Sequence, residues 1–351
     1  MPMTRKTSPS VALPAARTAF GRALLEWFDA HQRNLPWREA PSLYKTVVSE
    51  FMLQQTQVKT VLPYFARWLE ALPDFKALAA APQAQVLKLW EGLGYYSRAR
   101  NLHRVGQAIA AMKTIPREAA AWRELPGIGP YTAAAITSIA FGSAEACVDG
   151  NVVRILARLT ANGTEFRDSA SASKVFAPLA QEIVSAERPD DHNQAMMELG
   201  ATVCYRTSPS CTVCPVYDWC AAGKAGNPEN YPRLAPKLIE KKEVIRVWCE
   251  RKGSLLLHLA PAGAKRFALI HELPTAEQVG LTPSAAATGA LLAKAKRAIT
   301  RFQITESIHE LPAPKGELPT GLVWIGLSDV PKISLSGPHR RWIEALLAKR
   351  R

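Results

Sequence analysis

Four of the six cysteines fall within seventeen residues, at Cys204, Cys211, Cys214 and Cys220, a C-x6-C-x2-C-x5-C spacing. Thiols gathered so tightly either oxidise to a disulfide knot or hold a metal. Knots staple small secreted domains, whereas this chain has 351 residues, enough for two ordinary domains. Its basic start (Arg5, Lys6) is followed only by the Pro-broken Val11-Ala12-Leu13-Pro14, and no stretch approaches the roughly 20 apolar residues that cross a bilayer. Neither export nor a membrane span is expected, so metal binding is the better reading. Structural zinc usually takes two C-x2–4-C pairs, while one tight pair flanked by two looser cysteines suits a [4Fe–4S] cubane, the expected cofactor. Cys147 and Cys249 stand apart and read as small buried apolar residues.

Residues 1–14 carry Pro, Ser and Thr without periodicity and read as a disordered leader. Over 15–220 apolar residues recur three and four apart between short Pro/Gly breaks, which predicts an all-α domain. Residues 221–243 mix Gly, Pro and charge without an apolar face and read as a linker. The texture then changes: strands are expected at 244–250, 254–259, 267–270, 299–308 and 322–327, with helices near 291–298 and 340–348, so 244–351 forms a smaller α+β domain. The net charge is +14, of which residues 230–351 carry +10. Such a surplus suits a polyanionic partner, or a merely lysine-rich surface.

Three segments bear on chemistry. Leu125-Pro126-Gly127-Ile128-Gly129-Pro130-Tyr131 joins two helical stretches. Its glycines permit a tight turn and leave amides at a helix N-terminus, where an anion is favoured; read alone it is also an ordinary helical hairpin. Asp149 opens a helix whose apolar positions are Val152, Ile155, Leu156 and Leu159, as an N-cap or as a catalytic carboxylate. Glu50, Gln54 and Gln57 share a helical face beside apolar Val47, Val48, Phe51 and Met52. A lone acid there suits a raised pKa, and the amides suit a base edge, although a solvated polar face has the same pattern. Tyr95 and Tyr96, followed by Arg98, Arg100 and Arg104, combine aromatics that wedge into bases with guanidinium groups for phosphates, or are buried tyrosines beside a solvated face.

Together these segments resemble the helix-hairpin-helix DNA glycosylases with an iron–sulfur loop, and within them the MutY-type adenine DNA glycosylases. The resemblance runs from about Arg33 to Cys220. It is carried by Leu35-Pro36-Trp37-Arg38, Met52-Leu53-Gln54-Gln55-Thr56-Gln57-Val58, Gly92-Leu93-Gly94-Tyr95-Tyr96, Val148-Asp149-Gly150-Asn151-Val152 and Asn193-Gln194-Ala195-Met196-Met197-Glu198-Leu199-Gly200, with the cysteine spacing. It implies that Glu50 protonates a flipped-out adenine, that Asp149 stabilises the oxocarbenium-like sugar, and that Tyr131 and Asn151 support them. Arg33, Trp37, Arg38, Leu53, Gln54, Val58, Gln194 and Met197 would line the substrate pocket, with Gln55 and Tyr95 entering the base stack. Gly127 and Gly129 would hold a backbone phosphate. Bifunctional relatives such as endonuclease III carry a lysine where this chain has Tyr131, so a monofunctional enzyme that leaves an abasic site is expected.

The family's second domain is Nudix-like and reads 8-oxoguanine opposite the adenine, partly through a Phe-Ser-His turn. Here the best placement of that turn is Ile299-Thr300-Arg301, which lacks both the aromatic and the histidine, and Ala262–Phe267 replaces a Gly-rich tryptophan segment. No acidic Nudix box follows Leu273, so pyrophosphatase activity is not expected. The implied substrate is double-stranded DNA with adenine mispaired with 8-oxoguanine or guanine, met by a cytoplasmic, nucleoid-associated bacterial monomer. The competing readings are a glycosylase for another base, such as thymine opposite guanine, and a non-catalytic iron–sulfur DNA-binding protein.

Overall fold

The computed structural model describes residues 17–350 apart from Lys237, Lys265, Thr300 and Lys315; the expected leader over 1–14 lies outside them. In the helical part, short polar side chains cap the starts of helices. Ser42 accepts from the Lys45 amide to open α2 (Leu43–Leu53), and Asp149 accepts from the Val152 amide to open α9 (Gly150–Leu159). Asp168 and Ser171 form a capping box at the start of α10 (Ser169–Ile183).

The chain packs as two units, the first made of the chain up to Gln54 with Ala111–Pro236, the second of Gln55–Ala110 with the chain from Lys237. In the first, α1 (Arg17–His31) sets Phe20, Leu24 and Phe28 against Val152, Ile155 and Leu156 of α9, Phe176 of α10, and Met196 and Leu199 of α11 (Pro189–Thr202). The Ala-rich α8 (Pro130–Phe141) follows the short α7 (Ala119–Arg123) and packs on α2 and α11.

The second unit joins α3 (Val58–Ala71), α4 (Phe75–Ala80), α5 (Gln83–Leu89) and α6 (Ser97–Ala111) to the α+β part. One sheet pairs β3 (Glu240–Trp248) parallel to β8 (Phe302–Glu310), which runs antiparallel to β7 (Ala290–Ile299). In the other, β5 (Ser254–Leu259) lies antiparallel to β4 (Glu250–Arg251), β6 (His271–Glu272) and β9 (Leu322–Gly326). Successive strand residues face opposite ways. Accordingly, Trp248, Leu255 and Leu257 join the core beneath α14 (Gly337–Ala348), while Val247, Cys249 and Leu256 pack on the other side with Ala286 of α13 (Pro283–Ala286).

The structure corrects several expectations. The helix expected near 291–298 is strand β7: Ala293, Lys294, Ala295 and Lys296 alternate with period two, and its ladder with β8 outweighs alanine's helix preference. The strand expected at 267–270 is a turn, with Phe267 and Leu269 at φ 54° and 60°, incompatible with extended backbone. Within 221–243 lie α12 (Ala221–Lys224), the start of β3, and β2 (Arg233–Leu234), which pairs with β1 (Glu165–Phe166). Gln54 and Gln57 do not continue the face of Glu50, because α2 ends at Leu53 with Gln54 as its C-cap.

Candidate active site

Glu50 sits on the last full turn of α2 with 6% of its surface exposed. Burial pushes its carboxyl up to about 7; hydrogen bonding by Tyr131 lowers it, and the charge of Asp149 raises it. Tyr131 stands in the first turn of α8, and its hydroxyl is also 3.0 Å from the Met197 sulfur on α11. Burial, then Glu50 and Asp149, hold that phenol well above its usual range.

Asp149 is at once N-cap and candidate catalytic group. Its Oδ1 accepts from the Val152 amide at 2.8 Å and its Oδ2 from Asn151 Nδ2 at 3.0 Å. Burial raises this carboxyl too and leaves it above its ordinary value, although backbone bonds from Val152 and Asn151, the Asn151 side chain and the charge of Arg154 offset part of the rise. The two acids therefore share a site while differing in support: Glu50 is opposed by burial, and Asp149 is solvated by amides. Cys147, buried beside both, has its thiol raised by burial and then by Glu50 and Asp149. Its amide donates to Asn193 Oδ1 at 2.8 Å.

Behind Asp149 a chain of hydrogen bonds leads to the cysteine loop. Arg154 donates from Nη2 to Asn151 Oδ1 at 2.9 Å and to the Gly200 carbonyl at 2.7 Å, and from Nε to the Cys204 carbonyl at 2.8 Å. The packing is close: a Cβ on Gly200 would stand 2.4 Å from that of Asn151, so α9 and α11 need glycine there.

On α11, Gln194 accepts from Arg38 Nε at 2.9 Å, and Arg38 Nη2 donates to Glu198 at 3.0 Å. Glu198, with 1% of its side chain exposed, also takes Arg33 through Nη2 at 3.1 Å. Burial opposes its charge, yet the two arginines hold its carboxyl below the ordinary value. Glu198 was missed in the sequence, although an acid one helical turn from Gln194 in an apolar stretch is a readable signal. Trp37 and Leu53 are half-buried in the same unit, and Gln54 Nε2 donates to Thr132 on α8 at 3.3 Å. Gln55, Val58 and Tyr95 belong to the second unit, where Gln55 and Tyr95 are exposed residues with φ of 55° and 47°.

Between α7 and α8, Gly127 takes φ 78° and Gly129 caps α8 ahead of Pro130. Both are exposed, and nothing stands within 4 Å of a Cβ built on Gly129, which leaves an open approach to the first amides of α8. In the second unit Arg301 pairs with Glu240 at 2.8 Å and lies 5.1 Å from the Phe302 ring; Thr300, in the turn aligned with Phe-Ser-His, is outside the described residues.

Among the described residues no group of three or more His, Cys, Asp or Glu side chains stands around a single metal-ion position. The four cysteines nevertheless feel one another's charge, and donors are aimed at their sulfurs: Arg158 Nη1 to Cys204 at 3.2 Å and the Gly223 amide to Cys220 at 3.3 Å. Burial, with added repulsion from the other three sulfurs, pushes the Cys214 thiol up to about 12. A multi-iron cluster, whose positive charge would offset those thiolates, fits this donor set. Arg158, 1% exposed, also donates to the carbonyls of Tyr205, Arg206, Pro228 and Tyr231, and so ties the loop to α9.

Residues 48–178 match the model of the HhH-GPD superfamily of base excision DNA repair proteins. The chain is 46% identical to the rat adenine DNA glycosylase over 216 residues, 58% of this chain but 42% of the rat protein, so it spans about two-fifths of that relative. With the adenine DNA glycosylase of Mycolicibacterium smegmatis it shares 40% identity over 205 residues, 57% of this chain and 69% of the relative. A thermostable thymine-DNA glycosylase structure superposes with a TM-score of 0.54 at 25% identity, over 61% of this chain and 99% of that one. No helix among the described residues is long and apolar enough to cross a membrane. With the paired acids, the hairpin and the cysteine loop in their order along it, this chain belongs to the adenine DNA glycosylase family of the HhH-GPD superfamily.

Proposed function

We propose that the chain excises adenine mispaired with 8-oxoguanine or guanine in double-stranded DNA, hydrolysing the N-glycosidic bond and leaving an abasic site. The observation that carries this reading is the difference between two neighbouring carboxyls, the buried Glu50 at about 7 and the half-buried Asp149, to which amide donors are aimed. Glu50 gives its proton to a ring nitrogen of the extruded adenine, so the base departs neutral. The negative charge of Asp149 stabilises the oxocarbenium-like sugar until water adds to its anomeric carbon, and the proton that the water sheds returns to the Glu50 carboxylate and restores the acid. Tyr131 offers no amine for a Schiff base, so strand cleavage is slow. Arg33, Trp37, Arg38, Leu53, Gln54, Val58, Gln194 and Met197 hold the base, Gln55 and Tyr95 fill the stack, and the amides at Gly127 and Gly129 take a phosphate. Cys204, Cys211, Cys214 and Cys220 would hold a [4Fe–4S] cluster, whose chemistry here is to bind thiolates and fix the loop rather than to act on the base. The protein works as a cytoplasmic, nucleoid-associated monomer, since base flipping requires no two-fold partner.

The test is single-turnover excision on duplexes with adenine opposite 8-oxoguanine, guanine, cytosine and thymine, beside a thymine–guanine duplex, at one salt concentration. Fastest release of adenine opposite 8-oxoguanine supports the full reading. Equal rates opposite guanine remove lesion preference, and release of thymine alone would replace adenine as the substrate.

A further inference from the structure

We infer that the chain segment 330–340 is a positioning element for the Tyr95 turn, gripping it through Glu91 and Tyr96 so that this aromatic is held ready to enter the base stack. The inference rests on the reading that Tyr95 is the inserted residue. The turn is tight: Gly92 and Gly94 take φ of 107° and 72°, which glycine allows, while Tyr95, 46% exposed, is held at the strained φ of 47°. A bulky residue keeps such a backbone only where its surroundings over-determine it.

Those surroundings come from far along the chain. Before the turn, Glu91 is ion-paired with Arg340 through Nε and through Nη2 at 3.2 Å, with 9% and 13% of the two side chains exposed. Glu91 Oε2 also takes Lys88 Nζ at 3.0 Å and the Leu335 amide at 3.4 Å. Arg340 in turn binds the carbonyls of Val330 at 2.8 Å and Ile333 at 2.7 Å, and Lys88 reaches the same Ile333 carbonyl at 3.1 Å. After the turn, the buried Tyr96 hydroxyl donates to the Leu335 carbonyl at 2.7 Å. Backbone meets backbone between these anchors, where a Cβ on Gly337 would lie 3.7 Å from Gly92 Cα.

Arg98 extends the grip to the second exposed left-handed residue, Gln55. Its Nη2 donates to Thr56 Oγ1 at 3.1 Å and to the carbonyls of Leu93 at 3.1 Å and Gly94 at 3.2 Å, while its guanidinium lies 5.5 Å from the Tyr95 ring. Both turns are thus one constellation, and the end of the chain holds one side of it. Arg340 touches no reacting atom; its part is to lower the cost of extruding the base, not to cleave the bond.

Full-length protein with Arg340→Ala, Arg340→Lys or Tyr96→Phe decides the point. The readouts are the fluorescence rise of 2-aminopurine at the target position on binding, which reports unstacking, and single-turnover excision from two duplexes, adenine opposite guanine and adenine opposite an abasic analogue. Arg340→Ala is expected to lose most of the fluorescence rise and to excise about tenfold more slowly from the paired duplex, near wild type from the unpaired one, where extrusion costs little. Arg340→Lys restores part of both, and Tyr96→Phe, which changes no charge, shifts both in the same direction by less. Wild-type fluorescence in folded Arg340→Ala, or an equal slowing on both duplexes, overturns the inference. The fluorescence is read on binding, so it decides this point even if the wild type excises no adenine, an outcome that would overturn only the proposed activity.

Discussion

Glu50 keeps its proton to about 7 because α2 seats it among apolar neighbours, where the charged form loses its water. As general acid it must be protonated while Asp149 stays charged, so excision is expected to be highest just below about pH 7, to fall roughly tenfold per pH unit well above it, and to fall again at acid pH as Asp149 takes up a proton. A pH–rate profile flat to pH 9 would remove Glu50 from that role. Glu50→Gln should bind mispaired DNA as the wild type does while excising at least about a hundredfold more slowly. The same burial shapes stability. Folded Glu50 binds its proton more tightly than the unfolded chain does, so its contribution is full below the ordinary 4.5 and is lost as pH rises through about 7. Glu50→Gln should therefore gain on the wild type by about 2–3 kcal/mol between pH 5 and pH 8, measured by urea unfolding at both.

At the scale of elements, the contact of α9 with α11 governs where Asp149 points. Asn151 bonds Asp149, Arg154 bonds Asn151, and all of this depends on the bare backbone of Gly200. Gly200→Ala forces a Cβ into Asn151 and is expected to cost about 1–3 kcal/mol, with a loss of excision rate larger than any loss of DNA affinity. Thermal unfolding and binding measured side by side check it; an unchanged rate would mean the Asn151 bond is dispensable. The α7–α8 hairpin carries the opposite signature. Gly127→Ala strains a left-handed residue at φ 78° in an exposed turn, so affinity should weaken about equally for matched and mispaired duplexes, with the excision rate at saturation preserved.

Over the whole molecule, a net charge of +14 makes binding to DNA a matter of ion release. If about six phosphates are contacted, affinity should fall roughly a thousandfold between 50 and 200 mM salt. Titrations on matched duplex at several salt concentrations measure the slope, and a slope near zero would rule out a polyanion surface. The basic surplus of residues 230–351 is not all available for this: Arg246 and Arg297 are spent on Glu306, whose side chain is fully buried, whereas Lys241, Lys242 and Lys296 line a concavity of about 540 Å³ in the three-stranded sheet's unit.

Much of this was legible beforehand, because it depends on neighbours in sequence. Helix starts at Asp149 and Gly129, the hairpin turn and the cysteine spacing are local chemistry, and the helical period over 15–220 needs only that apolar residues seek one face. The strand at Ala290–Ile299 was not legible, since alanine and lysine favour helix until a partner strand supplies the ladder. Nor were the bonds from Arg154 to Gly200 and Cys204 or the Glu91–Arg340 pair, whose members lie from 46 to 249 residues apart. The sequence by itself determined which groups exist and where helices begin. Only the tertiary structure decided which carboxyl keeps its proton and which turns are held strained, because burial and long-range ion pairs arise from packing between elements that the chain order does not bring together.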